Sequence, residues 1–246
     1  RTLTGGLFMH IRLGLCAVVL AHAFPAWAQS PVSLYYFGER PPYVVSEPDG
    51  AISGLVATPT NVAFKAAGIS TQWVKIPPAR VISEFKENNI KACSPGYFKN
   101  ADRETWAKFT KPIYRDSPQA LLVHKNFELP TRKLNDLLMR QDIALLVKAG
   151  FSYGTEIDKL IEKYQPNSAK VSVEVAQMLK MIAAKRADYM FISDEESASL
   201  IAQSRERDVK VIHLDDSPPG ELRYIMCTRQ VPDELIRKIN EFIAFK

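Results

Sequence analysis

The residue of this sequence whose position most suggests chemistry is Arg103, within the segment N-A-D-R-E-T-W-A-K-F-T-K-P-I-Y at residues 100–114. Asn100 is a good helix N-cap and a charged run follows it, so the pattern predicts a short helix with Arg103 in its first turn. The positive end of a helix disfavours a cation, so Arg103 is better explained if it faces an anion that the terminus also attracts. Asp102 and Glu104 can supply that anion internally, and a solvated surface arginine is the ordinary alternative.

Two further segments place polar groups at predicted helix starts. The run A-G-F-S-Y-G at residues 149–154 leads into a predicted helix at 155–164, with Ser152 as a hydroxyl donor and backbone N–H groups nearby. Plain helix capping by Ser152 is an alternative, and the two roles are compatible. In S-D-E-E at residues 193–196, a carboxylate at Asp194 suits the helix dipole without any ligand.

The elements that must position these groups alternate between strands and helices. The first part of the chain predicts, in order, a strand at 32–37, a helix at 52–67, a strand at 71–76, a helix at 80–86 and a strand at 90–94. This order implies a parallel sheet with ligand sites at the carboxyl ends of its strands. Tyr43, which follows two prolines, the loop at 96–100 and Arg103 all fall on that edge. A second α/β unit begins near Ala120, and a final strand at 224–229 precedes a C-terminal helix.

The N-terminal residues are expected to be a secretory signal peptide. Met9 precedes the basic residue Arg12, an apolar run at 13–20 and A-W-A at 26–28, so cleavage is expected after Ala28. No other stretch approaches the ~20 apolar residues of a membrane span. We therefore expect a soluble mature protein outside the cytoplasm.

Charge and composition limit the classes of partner and cofactor. The net charge is +5, and it falls to +3 when Arg1 and Arg12 leave with the signal peptide. Because Lys and Arg are interspersed with Asp and Glu, neither nucleic acid nor an anionic membrane surface is an expected partner. The mature histidines and cysteines show neither C-x-x-C nor H-x-x-x-H spacing, so we expect no metal site and no cofactor.

Two cysteines, Cys93 and Cys227, remain after cleavage. In an oxidising compartment this even pair can form one disulfide. Each cysteine also lies in an apolar run that suits a buried free thiol. The residues alone leave both alternatives open.

Several motifs, taken in order, resemble the bacterial extracellular solute-binding proteins of family 3, the polar amino-acid-binding proteins that serve ABC importers. No single motif is specific, but their order and spacing cover nearly all of the mature chain. They are P-P-Y at 41–43, N-N-I-K-A-C at 88–93, R-E-T-W-A-K-F-T-K-P-I-Y from Arg103, L-L-V-H-K at 121–125, A-G-F-S-Y-G at 149–154, R-A-D-Y-M-F-I-S-D at 186–194 and Y-I-M-C-T-R at 224–229.

The resemblance implies an α/β fold of the type II periplasmic binding protein class. Each of two lobes is expected to contain a mostly parallel sheet flanked by helices, with the ligand clamped between them. Two hinge strands near 121–124 and 224–228 would join lobe 1, residues 29–118 and 224–246, to lobe 2, residues 119–223. The same topology places the Cys93 strand beside the Cys227 strand, which favours the disulfide.

The resemblance also assigns expected ligand contacts. Arg103 matches the arginine that binds a ligand carboxylate, and a bidentate guanidinium suits that planar anion. Tyr43 matches the aromatic that covers the ligand, while Ser152 and Phe151 match the second-lobe donors at a helix N-terminus.

Other expected contacts depart from the family pattern. The acid that usually binds an α-amino group falls on Ser193 without a gap, and Asp194 is one residue later. Gly96 and Phe98 belong to the predicted ligand loop, with Phe98 where small hydroxyl residues often stand. A carboxylate solute without a free amine is therefore an open possibility.

The leading hypothesis is a non-catalytic, monomeric periplasmic binding protein that delivers a small carboxylate-bearing solute to a membrane ABC permease. An enzyme on the same scaffold, such as a dehydratase, is the alternative, and its general acid or base would come from Glu39, Glu196 or Asp194, with His124 expected in a hinge. A third reading is a ligand-sensing protein for a membrane partner.

Overall fold

The computed structural model describes residue 2, residues 31–36, residue 38 and residues 40–245. The predicted signal peptide, apart from Thr2, and the candidate acid Glu39 lie outside the described residues. Within the described part of the chain, no helix has both the length and the apolarity to cross a membrane. Two five-stranded sheets organise the fold, and a two-stranded ribbon lies beside the first.

The first half of the chain alternates between strands and helices as predicted. Its elements are β1 Val32–Tyr36, β2 Val45–Ser46, β3 Ile52–Ser53, α1 Ala57–Ala66, β4 Thr71–Lys75, α2 Pro78–Glu87, β5 Ala92–Phe98, α3 Ala101–Trp106 and β6 Ala107–Arg115. The helix predicted at 52–67 begins later than expected, because Ile52 and Ser53 pair with β2 instead of entering the helix.

The second half repeats the alternation. Its elements are β7 Gln119–His124, α4 Leu134–Leu138, β8 Leu145–Lys148, α5 Thr155–Tyr164, β9 Ser168–Val171, α6 Val175–Ala183, β10 Tyr189–Ser193, α7 Asp194–Ser204, β11 Val209–Ile212, β12 Leu222–Thr228 and α8 Asp233–Glu241.

Each sheet is evenly mixed where a mostly parallel one was expected. The first has the order β4-β1-β5-β12-β6 and the second β11-β7-β10-β8-β9. β1 runs parallel to β4 and β5, whereas β12 runs antiparallel to β5 and β6. In the second sheet, β8 is parallel to β9 and β10, and β7 is antiparallel to β10 and β11. The prediction of parallel strands is therefore confirmed for the βαβ units. It is wrong for β7 and β12, the strands that follow the two crossings of the chain between the sheets, because both pair antiparallel with their neighbours.

The segments predicted as hinge strands lie wholly inside the sheets. Residues 121–124 belong to β7, and residues 224–228 belong to β12. The chain crosses between the sheets at residues 116–118 and 213–221 instead. Leu222 and Arg223, expected in the second lobe, begin β12 in the first sheet because they pair with Arg115 and Tyr114 of β6.

Apolar side chains cover both faces of both sheets. In β1, Leu34 packs into the cluster that contains Phe64 of α1, whereas Tyr35 packs on the other face with Phe85 of α2. In β7, Leu121 and Leu122 likewise enter different clusters. This alternation is the period of two that a strand imposes, so each sheet is enclosed between helices.

Cys93 and Cys227 form a disulfide between β5 and β12. The two residues are directly paired across the antiparallel ladder, their Cα atoms are 4.0 Å apart, and both are fully buried. The alternative of two free thiols is therefore wrong. Such a bond stabilises a fold mainly by restricting the unfolded chain.

Candidate functional site

A cleft between the two sheets brings together most of the residues predicted for ligand contact. It has an empty volume of about 310 Å³. Five predicted contacts, Gly96, Phe98, Arg103, Phe151 and Ser152, converge here. The full lining consists of Arg40, Gly96, Tyr97, Phe98, Arg103, Gly150, Phe151, Ser152 and Arg223.

Arg103 reaches the cleft from the first turn of α3. Asn100 caps the helix as predicted, accepting a hydrogen bond from the Arg103 backbone N–H at 2.9 Å. The guanidinium donates to the Phe98 carbonyl at 2.7 Å and lies 5.1 Å from the centroid of the Tyr97 ring. Because Arg103 is only 7% exposed, the alternative of a solvated surface arginine is wrong.

The acids beside Arg103 in sequence do not neutralise it. Asp102 pairs with Lys86 and Glu104 pairs with Lys99. Among the described residues, no carboxylate lies within ion-pair distance of the Arg103 guanidinium. Burial lowers its pKa from the ordinary value, and the more distant charges around it offset this only in part. Arg103 is therefore a buried cation that lacks a bonded anion.

Ser152 and Phe151 lie opposite Arg103, at the start of α5. The Ser152 hydroxyl bonds to the Asp158 carboxylate, which also accepts the Tyr153 N–H at 2.8 Å. Ser152 Oγ accepts a weaker hydrogen bond, 3.3 Å long, from the Gly154 N–H. The hydroxyl thus organises the loop before the helix and borders the cleft, but it does not cap α5, whose N-cap is Gly154.

Arg40 was not anticipated as a cleft residue. Its Nε and Nη2 donate to Glu196 Oε1 and Oε2 at 2.6 and 2.7 Å, a bidentate pair that joins the loop after β1 to α7. The guanidinium carbon lies 4.9 Å from the Tyr43 ring centroid and 4.7 Å from that of Phe151. The partners are 156 positions apart, so local sequence gives no signal for them.

Arg223, at the start of β12, forms a second bidentate pair, with Asp116. Its Nε and Nη2 both donate to the carboxylate, and Nη1 donates to the Gly96 carbonyl at 2.7 Å. Although burial lowers the pKa of Arg223, the Asp116 carboxylate raises it further, to a net position above its ordinary value. Burial also raises the pKa of the Asp116 carboxyl, but a guanidinium is so much more basic that the pair stays ionised.

Tyr43 lies beneath these arginines. The guanidinium carbon of Arg223 is 4.2 Å from its ring centroid, and its hydroxyl is 3.2 Å from Asp116 Oδ1 and 2.6 Å from Ser193 Oγ. Burial raises the Tyr43 pKa above its ordinary value. Tyr43 is only 1% exposed and does not line the cleft with Arg103, but it borders a neighbouring pocket with Arg40, Gly96 and Arg223. Its expected contact with a ligand stays a prediction.

The two residues predicted at the amine position point different ways. Ser193 caps α7, accepting the Glu196 N–H, and bonds to Tyr43. Asp194 turns outwards, where its Oδ1 is 2.8 Å from His213 Nε2 and the side chain is 46% exposed. Asp194 is thus not among the residues that line the cleft with Arg103.

The candidate acids and bases of an enzyme are dispersed. Glu196 is fully engaged by Arg40. His124 lies in β7, where its Nδ1 accepts the Asn126 N–H, and it borders a separate cavity of the second half. Among the described residues, no group of three or more His, Cys, Asp and Glu is arranged to hold a metal ion.

Two five-stranded sheets enclosing an arginine-lined cleft define the class of two-lobed type II periplasmic binding proteins. The pattern of the bacterial extracellular solute-binding proteins, family 3, matches residues 35–245, so the chain belongs to that family. No curated protein sequence was found to match the chain.

Solved structures with the same fold bind or sense small solutes. An ancestral arginine-binding protein bound to arginine is 17% identical over 87% of this chain and 90% of its own, with a TM-score of 0.70. A chain from work on glutathione import in Streptococcus mutans through GshT and the cystine ABC importer TcyBC is 16% identical over 86% and 87%, with a TM-score of 0.70. A histidine kinase sensor domain similar to periplasmic binding proteins is 18% identical over 87% and 89%, with a TM-score of 0.71. At these identities the likeness concerns the fold.

Proposed function

We propose that this chain is a non-catalytic periplasmic solute-binding protein that closes on a small carboxylate-bearing solute and delivers it to a membrane ABC importer. The observation that carries the proposal is Arg103, a buried guanidinium that faces the cleft without a bonded carboxylate. The other two cleft arginines each have one.

The physical argument rests on desolvation. A buried cation without a counterion is costly, and a planar carboxylate that forms two charge-assisted hydrogen bonds with a guanidinium offsets that cost. In the cleft, where water is excluded, such bonds are stronger than at the surface. A carboxylate bound at Arg103 therefore gains more than the same contact would give on an exposed arginine.

Family membership supports the remaining parts of the proposal. Proteins of this family bind solutes outside the cytoplasm, and structural relatives include an amino-acid ABC transporter substrate-binding protein and arginine-binding proteins. Hinge closure around the solute, with the two crossings at residues 116–118 and 213–221 as pivots, is the motion such a topology favours.

A thermal-shift screen of residues 29–246 against amino acids, dicarboxylates and aromatic acids tests this proposal. A solute at 100 times its dissociation constant adds about 2.7 kcal/mol, which raises the melting temperature by roughly 5–10 °C for a protein of this size. We expect Arg103→Ala to abolish that shift. Arg80→Ala, which removes an exposed arginine paired with Glu84, should retain it. Unchanged affinity in Arg103→Ala would refute the assignment.

A sensory role is the second candidate, favoured by the structural likeness to a histidine kinase sensor domain. Transport and sensing are separated by solute uptake in cells from which this protein has been deleted. Loss of uptake supports the importer. Retained uptake, with loss of a transcriptional response to the same solute, supports the sensor.

A further inference from the structure

We propose that the cleft selects a monocarboxylic acid that lacks an amine, and that Arg40 sets this selectivity by filling the place of a solute cation. The inference rests on the proposed function and deepens it by naming the solute class. It is carried by the partners of four described acids, Glu196, Asp116, Asp158 and Asp194.

Recognition of an ammonium group in a dry cleft requires an acceptor that is not already neutralised. An ammonium has three donors and no acceptor, and burying it unpaired is strongly unfavourable. A free carboxylate is the group that satisfies it most fully. An α-amino acid therefore needs an available acid within reach of the carboxylate site.

The acids near Arg103 are already engaged by protein donors. Glu196 receives two hydrogen bonds from Arg40, and Asp116 receives two from Arg223 as well as one from Tyr43. In each case both carboxylate oxygens face a guanidinium.

Two further acids are engaged as well. Asp158 accepts from the Ser152 hydroxyl and the Tyr153 N–H. Asp194 is directed outwards to His213. Ser193, predicted at the amine position, has its hydroxyl bonded to the buried Tyr43.

Arg40 occupies what would otherwise be a complete cation site. Its guanidinium carbon lies 4.9 and 4.7 Å from the Tyr43 and Phe151 ring centroids. Its Nε and Nη2 donate to the two carboxylate oxygens of Glu196 at 2.6 and 2.7 Å. Two aromatic rings and a carboxylate are the groups that hold a ligand ammonium or guanidinium. A solute cation could enter only by displacing Arg40, which would leave a buried charge unpaired.

The pairing of the three cleft arginines indicates the charge of the solute. Of the three arginines that line the cleft, two are neutralised by Glu196 and Asp116, which leaves Arg103 to receive one carboxylate. The rings of Tyr97, Phe98 and Phe151 border the same space. The body of the solute is therefore neutral, with an apolar or aromatic part.

Matched acids that differ only in the amine test the inference. Calorimetry would compare L-phenylalanine with 3-phenylpropanoate and with phenyllactate, and L-alanine with lactate. We expect the amine-free member to bind at least tenfold more tightly in each pair. Arg40→Gln releases Glu196 and should reduce that ratio by at least tenfold, whereas the exposed control Arg80→Gln should leave it unchanged.

The outcomes separate this inference from the proposed function. Tighter binding of the amino acids, still dependent on Arg103, overturns the inference and leaves carboxylate binding intact. No Arg103-dependent binding of any tested acid overturns both. A preference for amine-free acids that survives Arg40→Gln overturns the role of Arg40. If Arg40→Gln fails to fold by circular dichroism, Arg40→Lys, which keeps the cation, replaces it and must retain the preference; its loss would contradict the proposal.

Discussion

Arg103 and Arg223 line the same cleft and are almost equally buried, at 7% and 4% exposure, yet their surroundings are opposite. Arg223 is bound by both oxygens of Asp116, and its pKa is raised. Within the described part of the chain, the Arg103 guanidinium donates to one backbone carbonyl, that of Phe98, and burial lowers its pKa. Burial by itself therefore does not distinguish a structural arginine, which is paired within the protein, from an arginine that is available to bind an anion. The presence of an internal anion does.

The difference also separates what each arginine does for the fold. Arg223 connects β12 to Asp116 at the crossing between the sheets, so the ion pair between them stabilises the side of the cleft that Arg223 lines. Arg103 contributes no comparable connection. The Tyr97 ring and more distant carboxylates offset the burial of its charge only in part, and no carboxylate of the described residues bonds to it.

The largest expected effect comes from removing the anion of the structural arginine. Asp116→Asn leaves the Arg223 guanidinium buried without a counterion, so the free energy of unfolding should fall by about 3–5 kcal/mol. Urea denaturation measures it. Asp142→Asn, which breaks the exposed pair with Arg140, is the matched control and should be indistinguishable from wild type. Equal stability of the two variants would mean that the Arg223 pair is not structural.

Replacing Arg103, by contrast, should change the free energy of unfolding little. In Arg103→Met, a buried charge without a carboxylate partner is lost together with one hydrogen bond to Phe98. These changes oppose each other, so unfolding in the absence of solute should change by no more than about 1 kcal/mol. The same urea titration measures it. A loss as large as that of Asp116→Asn would place Arg103 with the structural arginines.

The smallest expected effect on stability concerns Glu195, which makes a contact between the lobes that involves no arginine. Glu195 Oε1 accepts from Tyr114 Oη, Ser117 N and Ser117 Oγ at 3.0, 2.9 and 2.8 Å. Although burial raises its pKa, these hydrogen bonds and one from its own backbone lower it to a net position below the ordinary value.

The direction of that shift fixes the pH dependence. A carboxyl whose pKa is lowered by folding stabilises the folded state above the pKa of the unfolded chain, about 4.3. That stabilisation is lost as pH falls through the lower pKa of the folded state. The stability difference between wild type and Glu195→Gln should thus be constant from pH 7 to 5 and shrink below about pH 4.3. Unfolding titrations across this range measure it. A difference that persists at pH 2 would contradict the shift.

The fold was accessible from sequence because its signals are local. The apolar periods, the Asn100 cap and the order of the motifs each depend on neighbouring residues, and the alternation they predicted is confirmed. The convergence of Arg103 and Phe98 followed from the rule that parallel strands present their carboxyl ends at one edge, whereas Ser152 was assigned to the site through the family resemblance.

The rest of the site was not accessible because it depends on pairings between distant residues. Asp116 and Arg223 are 107 positions apart, and Arg40 and Glu196 are 156 apart. Nothing in either local sequence specifies its partner. The same limit applies to Tyr43, which is covered by Arg40 and Arg223, and to Asp194, which bonds to His213.

The Cys93–Cys227 bond has a mechanical consequence. The two strands that the disulfide joins, β5 and β12, lie in the first sheet. Every strand of the second sheet falls between the two cysteines in sequence. A tension applied to the two ends of the described chain would pass through the sulfur bridge and bypass residues 94–226. The second lobe is a covalent loop sealed at its base, so pulling on the ends cannot extend it while the bridge is intact.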